Sequence, residues 1–210
     1  MPGENFTTAT RIAQAIGERI IDGTLLPDAP LRQDHVAQEF NSSHVPVREA
    51  FRQLEAQHLA VSVPRRGVRV APLDPKSVRE IAEMRAALEA LALKHAAPKL
   101  TPAHFARIEQ ALIEADSATT IKDFEAANRG FHLALVAPCA MPRLLASLDG
   151  LQLANSRLVF ASARSAAWKP RSNLDHRVIV DALRRHSVEQ ACQLLARHIQ
   201  TIERLAIPAA

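Results

Sequence analysis

Residues 43–69 read SHVPVREAFRQLEAQHLAVSVPRRGVR, one helix followed by a two-stranded ribbon. Ser43 stands where it can cap the helix, and Pro46 falls in the first turn, where a missing N–H costs nothing because those donors have no intrahelical partner. Val47, Phe51 and Leu54 recur at spacings of four and three and form an apolar stripe, while His44, Arg48 and Arg52 recur every fourth residue on another face. One face packs and the other is free to meet phosphate or bases. Beyond Leu59, Val61 and Val63 alternate with Ser62, Pro64-Arg65-Arg66-Gly67 makes a turn, and Val68 and Val70 alternate with Arg69. The result is a short hairpin with a cationic tip.

Working upstream, Asn41-Ser42 is a polar turn, 32–40 a short helix, and 25–30 a proline-rich connector. Ile12, Ile16 and Ile20 mark a further helical stripe that stops at Asp22-Gly23, and residues 1–9 read as a lead without regular structure. A basic helix face alone is usually only a solvated face. Its conjunction with an upstream helix, a polar turn and a basic hairpin is what fits a winged helix-turn-helix over 8–72.

PVREAFRQLE, preceded by Val36-Ala37 and followed by PRRGV, resembles the GntR family of bacterial transcription regulators in order and spacing over roughly residues 8 to 72. The family usually has Val-Ser-Arg-Thr before its Pro-Val-Arg-Glu-Ala core, where this chain has Ser42, Ser43, His44 and Val45; its common Pro-Gly pair in the connector is Pro27-Asp28 here. The resemblance implies that His44, Arg48, Arg52, Arg65, Arg66 and Gly67 meet double-stranded DNA, as a homodimer on a near-palindromic operator.

Length and composition set the frame. The 210 residues suffice for two modest domains, each able to bury a core. A net charge of +4 permits nucleic-acid binding, but the local cluster carries more weight than the total. Cys139 and Cys192, the two cysteines, have no paired spacing, and the N-terminus carries no apolar run of signal-peptide type, so a reduced cytoplasm is expected. No run approaches the ~18 apolar residues of a membrane helix, so no membrane partner is expected.

Two prolines in Ala71-Pro72-Leu73-Asp74-Pro75 mark a boundary, after which alanine and leucine dominate. Helices are predicted over 75–97, 102–116, 120–137, 141–165, 173–186 and 188–206, with Pro98, Pro102, Pro138, Pro142 and Pro170 at the breaks. The fold class is therefore mainly α: a winged helix-turn-helix joined to an antiparallel helical bundle over 75–206.

Three of the chain's nine histidines have a geometric argument for a role. His176 and His198 lie about ten and eleven residues either side of a tight turn at His186-Ser187, each ~15 Å from the hairpin's end at ~1.5 Å per residue. They should stand level on neighbouring helices, and Ile179, Leu183, Leu195 and Ile202 turn both inward. His132 follows Asn128 by one turn, so an amide oxygen and an imidazole share a helix face. A metal ion with three nitrogens and one oxygen fits these residues, and so does a hydrogen-bonded polar core.

Arg85-x-x-x-Glu89, Asn128-x-x-Phe131-His132, Asp175-His176 with Ile179 and Asp181, and His198 together resemble the ligand-sensing FCD domain of the FadR branch of the same family, over roughly residues 75 to 206. The resemblance implies a divalent metal on Asn128, His132, His176 and His198, with a small carboxylate bound over it. Asp is commoner at position 128; the amide removes one negative charge and weakens the hold on the ion. Zinc is the first candidate metal, with nickel and manganese as alternatives. Arg85 and Arg157 are candidates to grip the acid, and Arg85 can equally form an ordinary ion pair with Glu89. The expected function is a ligand-responsive transcriptional regulator acting as a repressor, not an enzyme. A metal-responsive regulator and a metal-dependent hydrolase using Glu89, Asp175 or Asp181 as base are the alternatives.

Overall fold

The computed structural model describes residues 7–163 and 173–206, with side chains over 7–161 and 173–201. Helix α1 (Thr8–Ile21) opens on Thr7, whose hydroxyl accepts the Thr10 N–H at 3.2 Å. Thr8 and Ala9 thus belong to the helix rather than to an unstructured lead, because Thr7 caps it and buried Ala9 extends the stripe of Ile12, Ile16 and Ile20. Gly23, with φ 75°, takes the left-handed position after the helix end.

Helices α2 (Gln33–Glu39) and α3 (His44–Ala56) follow, and both α1 and α2 pack on α3. Val47, Phe51 and Leu54 are buried, as their spacing predicts. Ser43 occupies the cap position, but its hydroxyl makes no capping bond. The third residue of the helix is Pro46, which has no N–H to offer it.

Strands β1 (Ala60–Val63) and β2 (Gly67–Val70) pair antiparallel, with Ala60 opposite Val70 and Val63 opposite Gly67. The turn needs left-handed backbone at Arg65 (φ 61°) and Gly67 (φ 71°). Ala60 and Val70 face the core, whereas Val61 is exposed. The 25–30 connector is more than a link. Val70 donates to the Ala29 carbonyl and Leu31 to that of Val68, both at 2.9 Å, so this segment lines the free edge of β2. Pro30 is tolerated there because the ladder asks nothing of its nitrogen. Asp28, at φ 61°, makes the preceding turn in a conformation that aspartate tolerates better than most residues.

The chain divides into two compact units between Leu73 and Asp74. The second is helical: α4 (Pro75–Ala96), α5 (Pro102–Ser117), α6 (Ile121–Val136), α7 (Pro142–Ala163), α8 (Leu174–Arg184) and α9 (Val188–Ala206). Asp74, Thr101 and Thr120 cap α4, α5 and α6 through their side chains, and prolines open α4, α5 and α7. The last two residues of the predicted 141–165 helix, and Pro170, lie outside the described residues. Helix α4 runs against α9, α7 and α6, with α5 on α6 and α8 on α9. Ala92, Ala96 and Ala191 are fully buried in the core with Leu93, Phe131, Leu135, Ile179 and Leu195. At the α8–α9 turn, His186 takes φ 56° while its N–H and that of Ser187 donate back to Leu183 and Ala182 at 2.9 Å. This closed turn is what makes the two helices antiparallel and level.

Candidate metal centre and DNA-facing surface

The level placement brings His176 and His198 together, with their Nε2 atoms 2.9 Å apart. Helix α6 adds His132, whose ring centroid lies 5.4 Å from that of His176 and 5.6 Å from that of His198. One ligand atom from each of the three can be chosen so that all lie within 4.8 Å of one another. Phe131 stacks on His176 at 4.1 Å and fixes that ring. Ile179, Leu183 and Leu195 are buried around the pair as predicted; the Ile202 side chain lies outside the described residues.

Each imidazole has its other nitrogen engaged. His132 Nδ1 meets Glu89 Oε2 at 2.7 Å, His176 Nδ1 meets Asn173 Oδ1 at 3.2 Å, and His198 Nδ1 meets Asp175 Oδ2 at 3.3 Å. A carboxylate or amide oxygen can only accept, so the protons reside on Nδ1 and the Nε2 lone pairs are left to act as ligands. His132 Nε2 is buried without a hydrogen-bond partner, and two Nε2 lone pairs at 2.9 Å repel unless a cation lies between them. Burial depresses the pKa of His176 strongly and that of His198 to about 4, which keeps both imidazoles neutral as ligation requires. The donor set fits a divalent ion of the zinc type, with an oxygen behind each histidine holding its tautomer.

Glu89 is the hub of the surrounding polar core. Arg85 Nε donates to Oε1 at 2.8 Å, Gln152 Nε2 donates to the same oxygen at 2.7 Å, and His132 donates to Oε2. Arg85 Nη2 also lies 2.8 Å from Oε1, but directs no N–H at it. Burial would raise the pKa of this carboxyl; the charge of Arg85 and the contact with His132 override it and hold the group at about 2. The Arg85–Glu89 ion pair therefore forms, with both Nε and Nη2 at 2.8 Å from Oε1. Asn128 is buried one turn before His132, its amide nitrogen 3.4 Å from Glu125 Oε2, so Oδ1 is the end left for ligation. Arg157 is buried on α7, where desolvation lowers its pKa to about 10.

In the first unit, His44, Arg48 and Arg52 are exposed along α3, and Arg65, Arg66 and Gly67 are exposed at the tip of the wing. A groove of about 670 Å³ between helix and wing is lined by Arg32, Arg48, Arg52, Arg66 and Arg69. His44 lies 3.4 Å from Asp34, and Arg52 lies 3.9 Å from Glu49, exposed pairs too weak to withhold either side chain from a phosphate.

The sequence matches the FCD domain over residues 80–201 and the gntR family of bacterial regulatory proteins over residues 8–70. The chain belongs to the GntR family. It is a DNA-binding transcriptional regulator with an FCD domain, not an enzyme. This GntR regulator is 31% identical to the Probable D-xylose utilization operon transcriptional repressor of Paenarthrobacter nicotinovorans, over 92% of this chain and 86% of that protein. It is 27% identical to the Galactonate operon transcriptional repressor of Escherichia coli (strain K12), over 87% of this chain and 90% of that one. A crystal structure of a putative transcriptional regulator GntR from Rhodococcus sp. RHA1 shares the fold with a TM-score of 0.78 at 24% identity, covering 96% of this chain and 98% of that one. Among the described residues no helix is long and apolar enough to cross a membrane.

Sequence reasoning about this GntR regulator found the histidines but missed their supports. Glu89 entered as an ion-pair partner or base, not as the carboxylate behind His132, and Asn173 was not singled out. Gln152, Asn155 and Ser156, buried on one side of α7, were also missed. Their signal was available: three polar residues at i, i+3 and i+4 within a helix whose other buried residues, Arg157 apart, are apolar or glycine.

Acid should unfold the chelated helical domain in two stages. The folded-state pKa of His198 is depressed from 6.5 to about 4, so between those values the unfolded chain binds more protons and stability falls with falling pH. Glu89, depressed from 4.5 to about 2, adds a second loss as pH falls through that lower window. Melting temperature followed from pH 8 to pH 4 in the presence of chelator should begin to drop near pH 6.5, and a rise over that interval would contradict the assigned burial.

Proposed function

We propose that this regulator is a homodimeric repressor that leaves a near-palindromic operator when a small organic carboxylate binds over a divalent metal. Three histidines with ligand atoms within 4.8 Å of one another, each with its Nδ1 backed by an oxygen, carry this reading. His132, His176 and His198 would hold the ion with Asn128 Oδ1 as fourth ligand; zinc suits a nitrogen-rich set best, with nickel and manganese next. The bound ion supplies positive charge that three imidazoles and an amide leave uncancelled, which favours an anionic ligand. Arg85 and Arg157 are the cationic side chains assigned to the acid's far end.

On DNA, His44, Arg48 and Arg52 would enter the major groove while Arg65, Arg66 and Gly67 of the wing meet the adjacent backbone. A dimer sets the separation of two such helices, so an acid that favours another arrangement lowers the operator-competent population. The relatives named above as repressors support repression, and transcriptional control supports a cytoplasmic location. The FCD domain is consistent with the FadR branch. A hydrolase reading loses Glu89 as its base, because that carboxylate is already committed to Arg85, Gln152 and His132.

A second reading, in which the metal itself is the signal, draws on Asn128: an amide in place of a carboxylate loosens the ion enough for occupancy to follow supply. Operator affinity, measured with and without chelator and then with candidate acids, separates the two. Release by an acid at constant metal supports the first reading, and release by chelator alone supports the second. His176→Ala should weaken metal binding by about tenfold or more and abolish the acid response. Full metal retention in that variant would remove His176 from the site.

A further inference from the structure

We propose that Val45 reads a thymine: its side chain packs on the 5-methyl group that this base presents in the major groove, and so selects T·A at one position of the DNA site. This rests on the reading that α3 enters the major groove, and it assigns a base to a residue beside the arginines placed there. Val45 is 64% exposed, against 57% for Leu26 and 37% for Val61, the other exposed large apolar side chains among the described residues of the winged unit. Scattered apolar residues on a surface are ordinary, so exposure alone assigns nothing. Direction does. At about 100° per residue, Leu54 lies half a turn around the helix from Val45, and it is buried together with Val47, Ala50 and Phe51. Val45 therefore stands in the middle of the outward face, with exposed Arg48 and Arg52 to one side and exposed Glu49 to the other. It is also the second residue of α3, which begins at His44. In a helix-turn-helix the N-terminal residues of the recognition helix are those that meet base edges.

What a valine can recognise there is narrow. Its side chain neither donates nor accepts a hydrogen bond, so it cannot tell a base by the acceptors of guanine or the amino groups of adenine and cytosine. The thymine methyl is the apolar group that the base pairs present in the major groove, and two carbon surfaces brought together release the water that each keeps when apart. The branched Cβ holds a preferred rotamer in a helix, so little side-chain freedom is lost on contact. Arg48, one turn on, has the opposite chemistry: a guanidinium pairs bidentately with guanine. The two residues thus specify different bases along the same strip of groove.

The test begins with the full chain and a pool of random duplexes, from which repeated selection yields a preferred sequence. In that duplex each thymine is replaced singly by deoxyuridine, which keeps the base pair and deletes the methyl, and affinity is read by fluorescence anisotropy. At one thymine or more the replacement is expected to weaken binding about threefold to fivefold, the worth of one buried methyl group. Val45→Ser removes both side-chain methyls from an exposed site. It should melt with the parent, bind the thymine duplex about threefold to tenfold less tightly, and lose the deoxyuridine penalty. A penalty that persists in full in Val45→Ser, or the absence of any penalty in the parent, overturns the assignment. Replacing guanines by 7-deazaguanine, which lacks the N7 acceptor, keeps two failures apart. Weakened binding to the 7-deaza duplexes with no response to deoxyuridine overturns the role of Val45 while α3 remains in the major groove. No response to either substitution overturns both.

Discussion

Glu89→Gln is expected to destabilise the helical domain by about 3 to 5 kcal/mol, although it replaces one oxygen with nitrogen and changes almost no volume. The charge of Arg85 is fully buried, and Glu89 is the carboxylate that its Nε contacts. With a neutral amide in its place, the guanidinium loses its contacting carboxylate and is left with Glu125, whose carboxyl burial pushes toward the neutral form. His132 loses the anion that fixes its tautomer, and Gln152 meets another amide where it now meets a carboxylate. Metal affinity should fall about 10- to 100-fold for the same reason, as expected when the group behind a ligating histidine is removed. Urea unfolding of the helical transition in chelator gives the first number, and competition with a chromogenic chelator gives the second. Adding Arg85→Met to the same chain should recover much of the lost stability, because replacing both partners strands no charge. A single variant that unfolds within about 1 kcal/mol of the parent would mean that Arg85 is neutralised by some other group.

Arg48→Ala should weaken operator binding about thirtyfold to ten-thousandfold, since in the proposed homodimer one base contact of ~1 to 3 kcal/mol would be lost from each half of the complex. The side chain is exposed on α3 and lines the groove between helix and wing, so its removal should leave the melting of both domains unchanged. Fluorescence anisotropy on operator and on scrambled duplex, at several salt concentrations, tells the kind of contact apart. Loss on operator alone marks base recognition. Equal loss on both duplexes with a shallower salt slope marks a phosphate contact. Retained affinity on both would take Arg48 off the interface.

Much of this molecule was legible before any tertiary structure. The winged unit could be read because its parts are local: stripes at helical spacing, a hairpin turn with Gly67, and prolines that punctuate the bundle. Even the meeting of His176 and His198 was available, since a tight turn and 1.5 Å per residue place two levels on neighbouring helices by arithmetic. Other features resisted for identifiable reasons. Residues 29–31 line the edge of β2, a pairing between segments nearly forty residues apart, and two prolines in the connector hid it. Ser43 makes no cap bond because of a residue three places on, a veto that composition preferences do not register.

The amino-acid sequence by itself determined the order of helices, the basic helix-and-wing surface, the family, and which histidines face inward, all consequences of periodicity and short-range sterics. Only the tertiary structure decided that Glu89 stands behind His132 while bonding Gln152 from another helix, and that Gln152 and Asn155 each keep a buried amide atom without a hydrogen-bond partner. Those facts depend on the approach of α4, α6 and α7 across the bundle. Hydrogen bonds act over about 3 Å, a scale set by packing rather than by spacing along any one helix.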